Sequence, residues 1–444
     1  MSTTTAAPSS GMAGKLGTWL MSIATVGLAF VICVELINIL FYDPWSDDKF
    51  LFKLSGSLSG VEIGPLTYLM FGSLAVALMM GLPLAFVTGG LGVMFIYLVG
   101  DAMMLNIVPG RIFPLMANPD IAAIPLFIFM ASMLERAGLI EEMFSVVYKW
   151  MGGISGGLAA ATIVASTILA AMVGVIGAAV VTMGIIALPA MLKRHYDHKI
   201  AIGSIMAGGT LGILIPPSIL AILYAVVAQQ SVGELYLGSL LPGLMLSGLY
   251  LTYVLVRSWL NPKLGPPIPV EDRISLKEKL KLLGNLIAPL ALVGLVLGLL
   301  FGGIATPVEA AGIGSFGAII VAMMHKKFSI AGLREASVTT AKASAMVLWI
   351  MFGASVFVGF YILQGGQQFV TDAILGTGMS AYGILLLLMV LLVVLGMFLD
   401  WVGILLLAVP IFIPIVKALE FPGLFGFPPV AGDDVVLWFG VLYL

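Results

Sequence analysis

Charge is what this chain has least of. Of its 444 residues only 20 are Lys or Arg and 22 are Asp or Glu, 9% together against 61% hydrophobic. A soluble domain carries about 25% charged residues. So little charge over this length excludes a water-soluble fold and predicts a polytopic, multi-pass membrane protein embedded in the lipid bilayer. A net charge of −2 gives no basic surface for nucleic acid. Cysteine is nearly absent too. The single Cys33 excludes a disulfide framework or an Fe–S cluster. The three histidines, His195, His198 and His325, sit beside lysines or arginines near segment ends and read as solvated loop residues rather than metal ligands. There is no G-x-x-x-x-G-K-[ST], no H-E-x-x-H and no G-x-S-x-G. P-loop nucleotide hydrolysis and the usual metalloprotease and serine-hydrolase chemistries are therefore excluded. No enzyme and no organic cofactor is expected, so energy for any work the chain does has to come from an ion gradient or a partner.

What is abundant is long apolar runs punctuated by glycine and proline. Residues 1–16 are small and polar and read as disordered. The run 17–42 has no charge before Glu35 and no small-residue cleavage site after it, which predicts an extra N-terminal transmembrane helix rather than a signal peptide. Beyond it the chain repeats itself weakly. Pro83 matches Pro307, Ser132 matches Ser355, Gly152 matches Gly376, Gly174 matches Gly396 and Pro189 matches Pro410, all at offsets of 221 to 224 residues. Equivalent loops differ in charge. Residues 101–120 hold one basic residue, Arg111, whereas 325–342 hold Lys326, Lys327, Arg334 and Lys342. Cytoplasmic loops concentrate Lys and Arg, so equivalent loops fall on opposite sides and the repeats have inverted topology. The expected layout is a first repeat over 66–260, a basic cytoplasmic linker over 261–282 and a second repeat over 283–444. In the linker, LKEKLKLL (276–283) predicts a short helix along the membrane surface. Carriers built this way bind substrate and ions where the halves meet.

The stretch GTLGILIPPS (209–218) breaks a segment that is otherwise apolar enough to be buried in lipid. Pro216 and Pro217 lack N–H groups, so the carbonyls of Gly212 and Ile213 lose their helical partners. In hydrocarbon such a break survives only inside protein or beside a wet cavity. Glycines 208, 209 and 212 allow a turn or a close approach. Freed carbonyls with the hydroxyls of Thr210 and Ser218 make hard oxygen ligands suited to Na⁺, and the half-helix that follows presents N–H groups suited to a carboxylate. The other reading is a proline kink sealed by neighbouring hydroxyls and serving only packing. Two readings also stand at Glu309 in ATPVEAAG: an ion, proton or partner contact, or a structural hydrogen bond with Thr306. A broken helix is expected at about 200–228. Re-entrant hairpins are expected at 117–138 and 351–368, carrying Ser132 and Ser355 towards the centre.

On the motifs IPLFIFMASMLERAG, VVTMGIIALPAMLKRHYD, AGGTLGILIPPS, GIATPVEAAGIG and GMFLDWVGILLLAVPIFIPIV, the chain resembles the DctM-type large permease of tripartite ATP-independent periplasmic transporters over nearly all of 66–444. The resemblance implies an all-α elevator-type ion transporter fold in the bacterial inner membrane, with inverted repeats, re-entrant hairpins and broken helices. It implies two partners: a periplasmic substrate-binding protein that captures an organic acid, and a small four-helix membrane subunit. It implies coupling to Na⁺, at sites drawn from Ser132, Gly209, Thr210, Gly212, Pro216, Pro217 and Ser218, with Thr306 and Ser355 in the second half. Thr210, Ser218 and Glu309 are the expected substrate contacts. A self-sufficient divalent-anion/sodium symporter is the nearest alternative, although its Ser-Asn-Thr hairpin signatures do not occur; a non-transporting scaffold is the other. Adding 222 to Pro216 and Pro217 gives Trp438 and Phe439; the resemblance implies a second Pro-Pro break shortly after such a segment, so the second repeat is expected to be truncated before it.

Overall fold

The computed structural model describes residues 56–100, 102–173, 176–269, 275–422 and 429–444. The expectations for 1–16 and 17–42 lie outside these residues, as does the middle of the linker. The described chain is all-α. Its helices are α1 (Ile63–Met79), α2 (Leu84–Val99), α3 (Ile107–Met116), α4 (Ala123–Arg136), α5 (Leu139–Met151), α6 (Gly157–Val173), α7 (Ile176–Lys193), α8 (His198–Leu214) and α9 (Ile219–Ala228). They continue with α10 (Val232–Leu260), α11 (Leu276–Phe301), α12 (Pro307–Met324), α13 (Ile330–Leu363), α14 (Gly366–Leu375), α15 (Ala381–Gly396), α16 (Trp401–Lys417) and α17 (Asp433–Tyr443).

Local chemistry sets many of the helix starts. Asp197, Ser218, Ser231, Ser329, Ser380 and Asp400 each accept a backbone N–H of the following first turn, filling donors a helix cannot satisfy itself. Ser275 with Glu278 and Thr306 with Glu309 form full capping boxes at α11 and α12. Gly138, at φ +61°, makes the left-handed turn between α4 and α5.

Among the described residues four spans are long and apolar enough to cross a membrane, six if each of two bent pairs is one span. The surface agrees. Trp259, Tyr68 and Ile330 are 75–80% exposed, a side-chain display that suits hydrocarbon and not water. The linker segment expected to lie along the membrane is helical, and α11 bends by 47° between Lys277–Gly284 and Leu286–Phe301.

The element order repeats. α2 and α12 start 223 residues apart, α6 and α15 start 224 apart, and α7 and α16 start 225 apart. The register then slips. Four residues connect α7 to α8, but fifteen connect α16 to α17, so α8 and α17 start 235 apart. Trp438 and Phe439 thus correspond to Gly203 and Ser204 inside α8, not to the prolines, and the constant offset fails as a guide there.

The hairpin expected at 351–368 is also corrected. Residues 351–363 are the last turns of the 34-residue helix α13, which has no proline inside it; the chain turns only after the helix ends, at Gly365 (φ +85°), where α14 begins. Residues 117–138 hold a 3-10 turn at Pro119–Ala122 and the helix α4, with a 64° bend between Met103–Met116 and Pro119–Arg136, the geometry of a broken span or a re-entrant loop. The paired short helices are instead α6 with α7 and α15 with α16, each pair packed together across a short connection.

Candidate ion site at the broken helix

Helices α8 and α9 form one 31-residue span that is mostly buried within the protein. It is interrupted only at Ile215–Ser218, and all four of these residues are buried. Ile215 turns extended (φ −86°, ψ 123°) while its N–H still donates to the Leu211 carbonyl at 2.9 Å. The next two positions are prolines, so no donor reaches the carbonyls of Gly212 and Ile213 along the helix. Ser218 starts the second half. Its Oγ accepts the Ala221 N–H at 3.4 Å, and its carbonyl accepts the Tyr236 hydroxyl of α10 at 3.0 Å. Pro216, Pro217 and Ser218 therefore sit where carbonyl and hydroxyl oxygen is gathered in a dry interior.

The glycines before the break serve close approach rather than a turn. A Cβ on Gly208 would lie 2.6 Å from Ser166 Oγ and 2.7 Å from Ser166 Cβ on α6, and one on Gly209 would meet Val180 Cγ2 on α7. Both arms of the α6–α7 pair thus press against α8 about two turns ahead of the prolines. Ser166 Oγ is buried there with no hydrogen-bond partner. Gly212 is buried on the same helix.

The remaining candidates divide. Thr210 is exposed, and its Oγ1 donates to the Ala207 carbonyl one turn back at 2.8 Å. Successive helical residues point about 100° apart, so if Gly209 faces the α6–α7 pair, Thr210 faces outward. It does not join Ser218. Thr306 and Glu309 are both exposed, and Glu309 Oε2 accepts from the Thr306 N–H and hydroxyl at 2.8 and 2.9 Å. Of the two readings for Glu309, the structure shows the hydrogen bond with Thr306: the pair caps α12. Ser132 is buried on α4. Ser355 on α13 lines a separate cavity, and its Oγ donates to the Arg111 carbonyl at 3.5 Å.

Sequence reasoning passed over Tyr236 and Ser166. Each is one polar atom on an apolar helix, far along the chain from the break, and helical period does not single it out. Among the described residues no group of His, Cys, Asp and Glu able to hold a metal assembles. The break itself offers oxygen, the donor set an alkali ion takes.

Tyr236→Phe deletes only the hydroxyl that reaches the break. The Ser218 carbonyl keeps the Ile222 N–H at 3.3 Å and loses its shorter, second hydrogen bond, at a cost of about 1 kcal/mol. Thermal unfolding in lipid nanodiscs should show the loss; an unchanged midpoint would mean that the Ile222 N–H alone satisfies that carbonyl.

Residues 71–442 match the family model for the tripartite ATP-independent periplasmic transporter, DctM component. The isethionate TRAP transporter permease protein DctMQ of Oleidesulfovibrio alaskensis is 32% identical over 355 residues, which are 80% of this chain and 55% of that protein; the chain spans about half that relative's length. The C4-dicarboxylate TRAP transporter large permease protein DctM of Rhodobacter capsulatus is 29% identical over 78% of this chain and 81% of its own. Among solved structures, the Alcanivorax borkumensis YdaH transporter superposes with a TM-score of 0.52 over 78% of this chain and 82% of that one, at 19% identity. That last likeness is one of fold alone.

Proposed function

The chain belongs to the DctM component family of tripartite ATP-independent periplasmic transporters, and from that premise we propose that it is the large membrane subunit of a binding-protein-dependent, sodium-coupled importer of a small organic acid. It works in the bacterial inner membrane with a periplasmic substrate-binding protein and a small four-helix membrane subunit. Relatives named for isethionate and for C4-dicarboxylates carry small organic anions, and this chain takes a cargo of that class. Part of the molecule moves as an elevator against the rest, carrying acid and ion together.

One observation carries the sodium reading: the buried Pro216–Pro217 break. A helix opened inside a protein interior leaves carbonyls whose desolvation costs several kcal/mol if nothing pairs with them, and a dehydrated Na⁺ is a partner of the right size and hardness. Transporters place ion sites at such discontinuities. The sites reduce to Gly212, Pro216, Pro217 and Ser218, with Gly209 in support.

Uptake in proteoliposomes holding all three proteins, with and without a Na⁺ gradient, tests the coupling; import indifferent to Na⁺ would sink it. Within that assay, Ser218→Ala should raise the Na⁺ concentration for half-maximal uptake severalfold, whereas Thr210→Ala should leave it alone. Unfolding midpoints are recorded alongside, because losing the Ser218 cap itself costs about 1 kcal/mol. An Na⁺ dependence unmoved in Ser218→Ala would return the motif to packing.

A further inference from the structure

A second polar place lies apart from the break. Between α3 and α13 on one side and α9 and α16 on the other is a cavity of about 350 Å³, lined by Arg111, Val227, Gln229, Ser355, Gly359 and Pro410 among others. Helix α13 packs against α3, and α9 packs against α16, so the cavity sits at a seam between two helix pairs.

Arg111 is half-buried at this seam, on a helix that belongs to one of the bent membrane spans. A guanidinium offers five N–H donors in a fixed plane. Here Nη2 donates to the Gly359 carbonyl at 3.2 Å. Among the described residues no carboxylate lies within ion-pair distance of it. Gly359 makes the seat: a Cβ there would lie 2.8 Å from Arg111 Nε and 2.9 Å from Cδ. Only a residue without a side chain lets the guanidinium lie against α13 and face the cavity. A cation held inside a membrane protein without a counter-ion is costly, and such residues mark substrate or ion paths. A planar guanidinium with free donors is the side chain best matched to a carboxylate.

We propose that Arg111 is the anion-recognising residue of a carboxylate site in this cavity, with Gly359 as the residue that positions it. The proposal rests on the reading above that the cargo is an organic acid. The carboxylate takes the free face of the guanidinium, next to the hydroxyl of Ser355 and the amide of Gln229, and so supplies the charge the protein withholds. No such role was visible in the sequence, where Arg111 is a lone basic residue in a loop.

The test reads Arg111 directly. Phenylglyoxal modification of Arg111 in the intact protein in nanodiscs is followed by mass spectrometry with succinate, acetate, the neutral succinamide or chloride as probe. Succinate or acetate should slow modification about tenfold at a tenfold excess over its half-protecting concentration, and succinamide and chloride should not. Gly359→Ala, which displaces the guanidinium but keeps a good helix former, should raise the half-protecting concentration at least severalfold. Equal rates with all four probes, or protection by succinamide as strong as by succinate, would overturn the site. Proteoliposome uptake separates this from the functional reading. Protection without any organic-acid import would sink the importer and leave the anion site standing. Import with Arg111 unprotected, and with R111K and R111Q matching the parent KM, would sink the site alone.

Discussion

Replacing Pro216 and Pro217 together by alanine should abolish sodium-driven uptake while leaving the protein folded and no less stable. Each alanine returns an N–H to a position where the helix needs one, and alanine is about 3 kcal/mol better than proline in a helix interior. The carbonyls of Gly212 and Ile213 gain donors four residues on, so α8 and α9 can close into one helix along the span they already share. Those carbonyls are then no longer available to an ion. If each contributes roughly 1.5–3 kcal/mol, the scale of a hydrogen bond to a charge, losing both weakens sodium binding about a hundredfold or more. The two readouts move in opposite directions, which separates this outcome from damage: unfolding temperature holds or rises while uptake falls. A doubly substituted protein that imports at the parent rate, with the same Na⁺ dependence, would show that the break is packing only.

How far the sequence foretold this arrangement depends on what kind of signal each feature left. Composition carries the membrane fold, because burial in lipid needs a low charge over the whole length and cannot be hidden. The repeat was legible through α16, since substitutions leave spacing intact. It failed at α17, where eleven extra residues before the helix shift the register and an offset rule has no means of detecting an insertion. The broken helix was legible because proline acts locally: a missing N–H changes the backbone whatever surrounds it. The expected hairpin at 351–368 failed for the converse reason. Its Gly/Gln stretch marks the end of a long helix, and whether a helix stops or turns back is decided by what it packs against.

The candidate site divides along the same line. Ser218 was legible because a residue right after a break becomes a cap. Thr210 was not, since its distance along the chain says nothing about which face it occupies; the packing of Gly208 and Gly209 turns it outward. The Thr306–Glu309 pair carries the spacing of a capping box, and both readings fit that spacing until the hydrogen bonds chose one. Arg111 needed the opposite kind of information. What sets it apart is the bare backbone of a glycine 248 residues later, and no local pattern links the two.

Gly208→Val should be among the most destabilising single changes available on α8, and its repair should come from one residue on another helix. The first atom of any side chain at 208 falls 2.6 Å from Ser166 Oγ and 2.7 Å from Ser166 Cβ. Both distances are below real Cβ contacts, and a β-branched side chain adds two methyl groups to the clash. Overpacking of this kind costs typically 1–3 kcal/mol, and a fully buried helix crossing belongs near the upper end, about 3 kcal/mol. The identity of the clashing atoms decides the rescue. Ser166→Ala removes only Oγ and leaves Cβ in the way, so it should restore little. Ser166→Gly removes both and should recover most of the loss in Gly208→Ala, giving a coupling energy of about 1 kcal/mol or more in a double-mutant cycle. Unfolding of the four proteins in nanodiscs measures it. Additive effects would mean that α6 and α8 do not cross at these residues. Coupling would locate the contact that holds the α6–α7 pair against the broken helix, and uptake in the same variants should then fall with it, since the segment leading into Pro216 is what that contact holds in place.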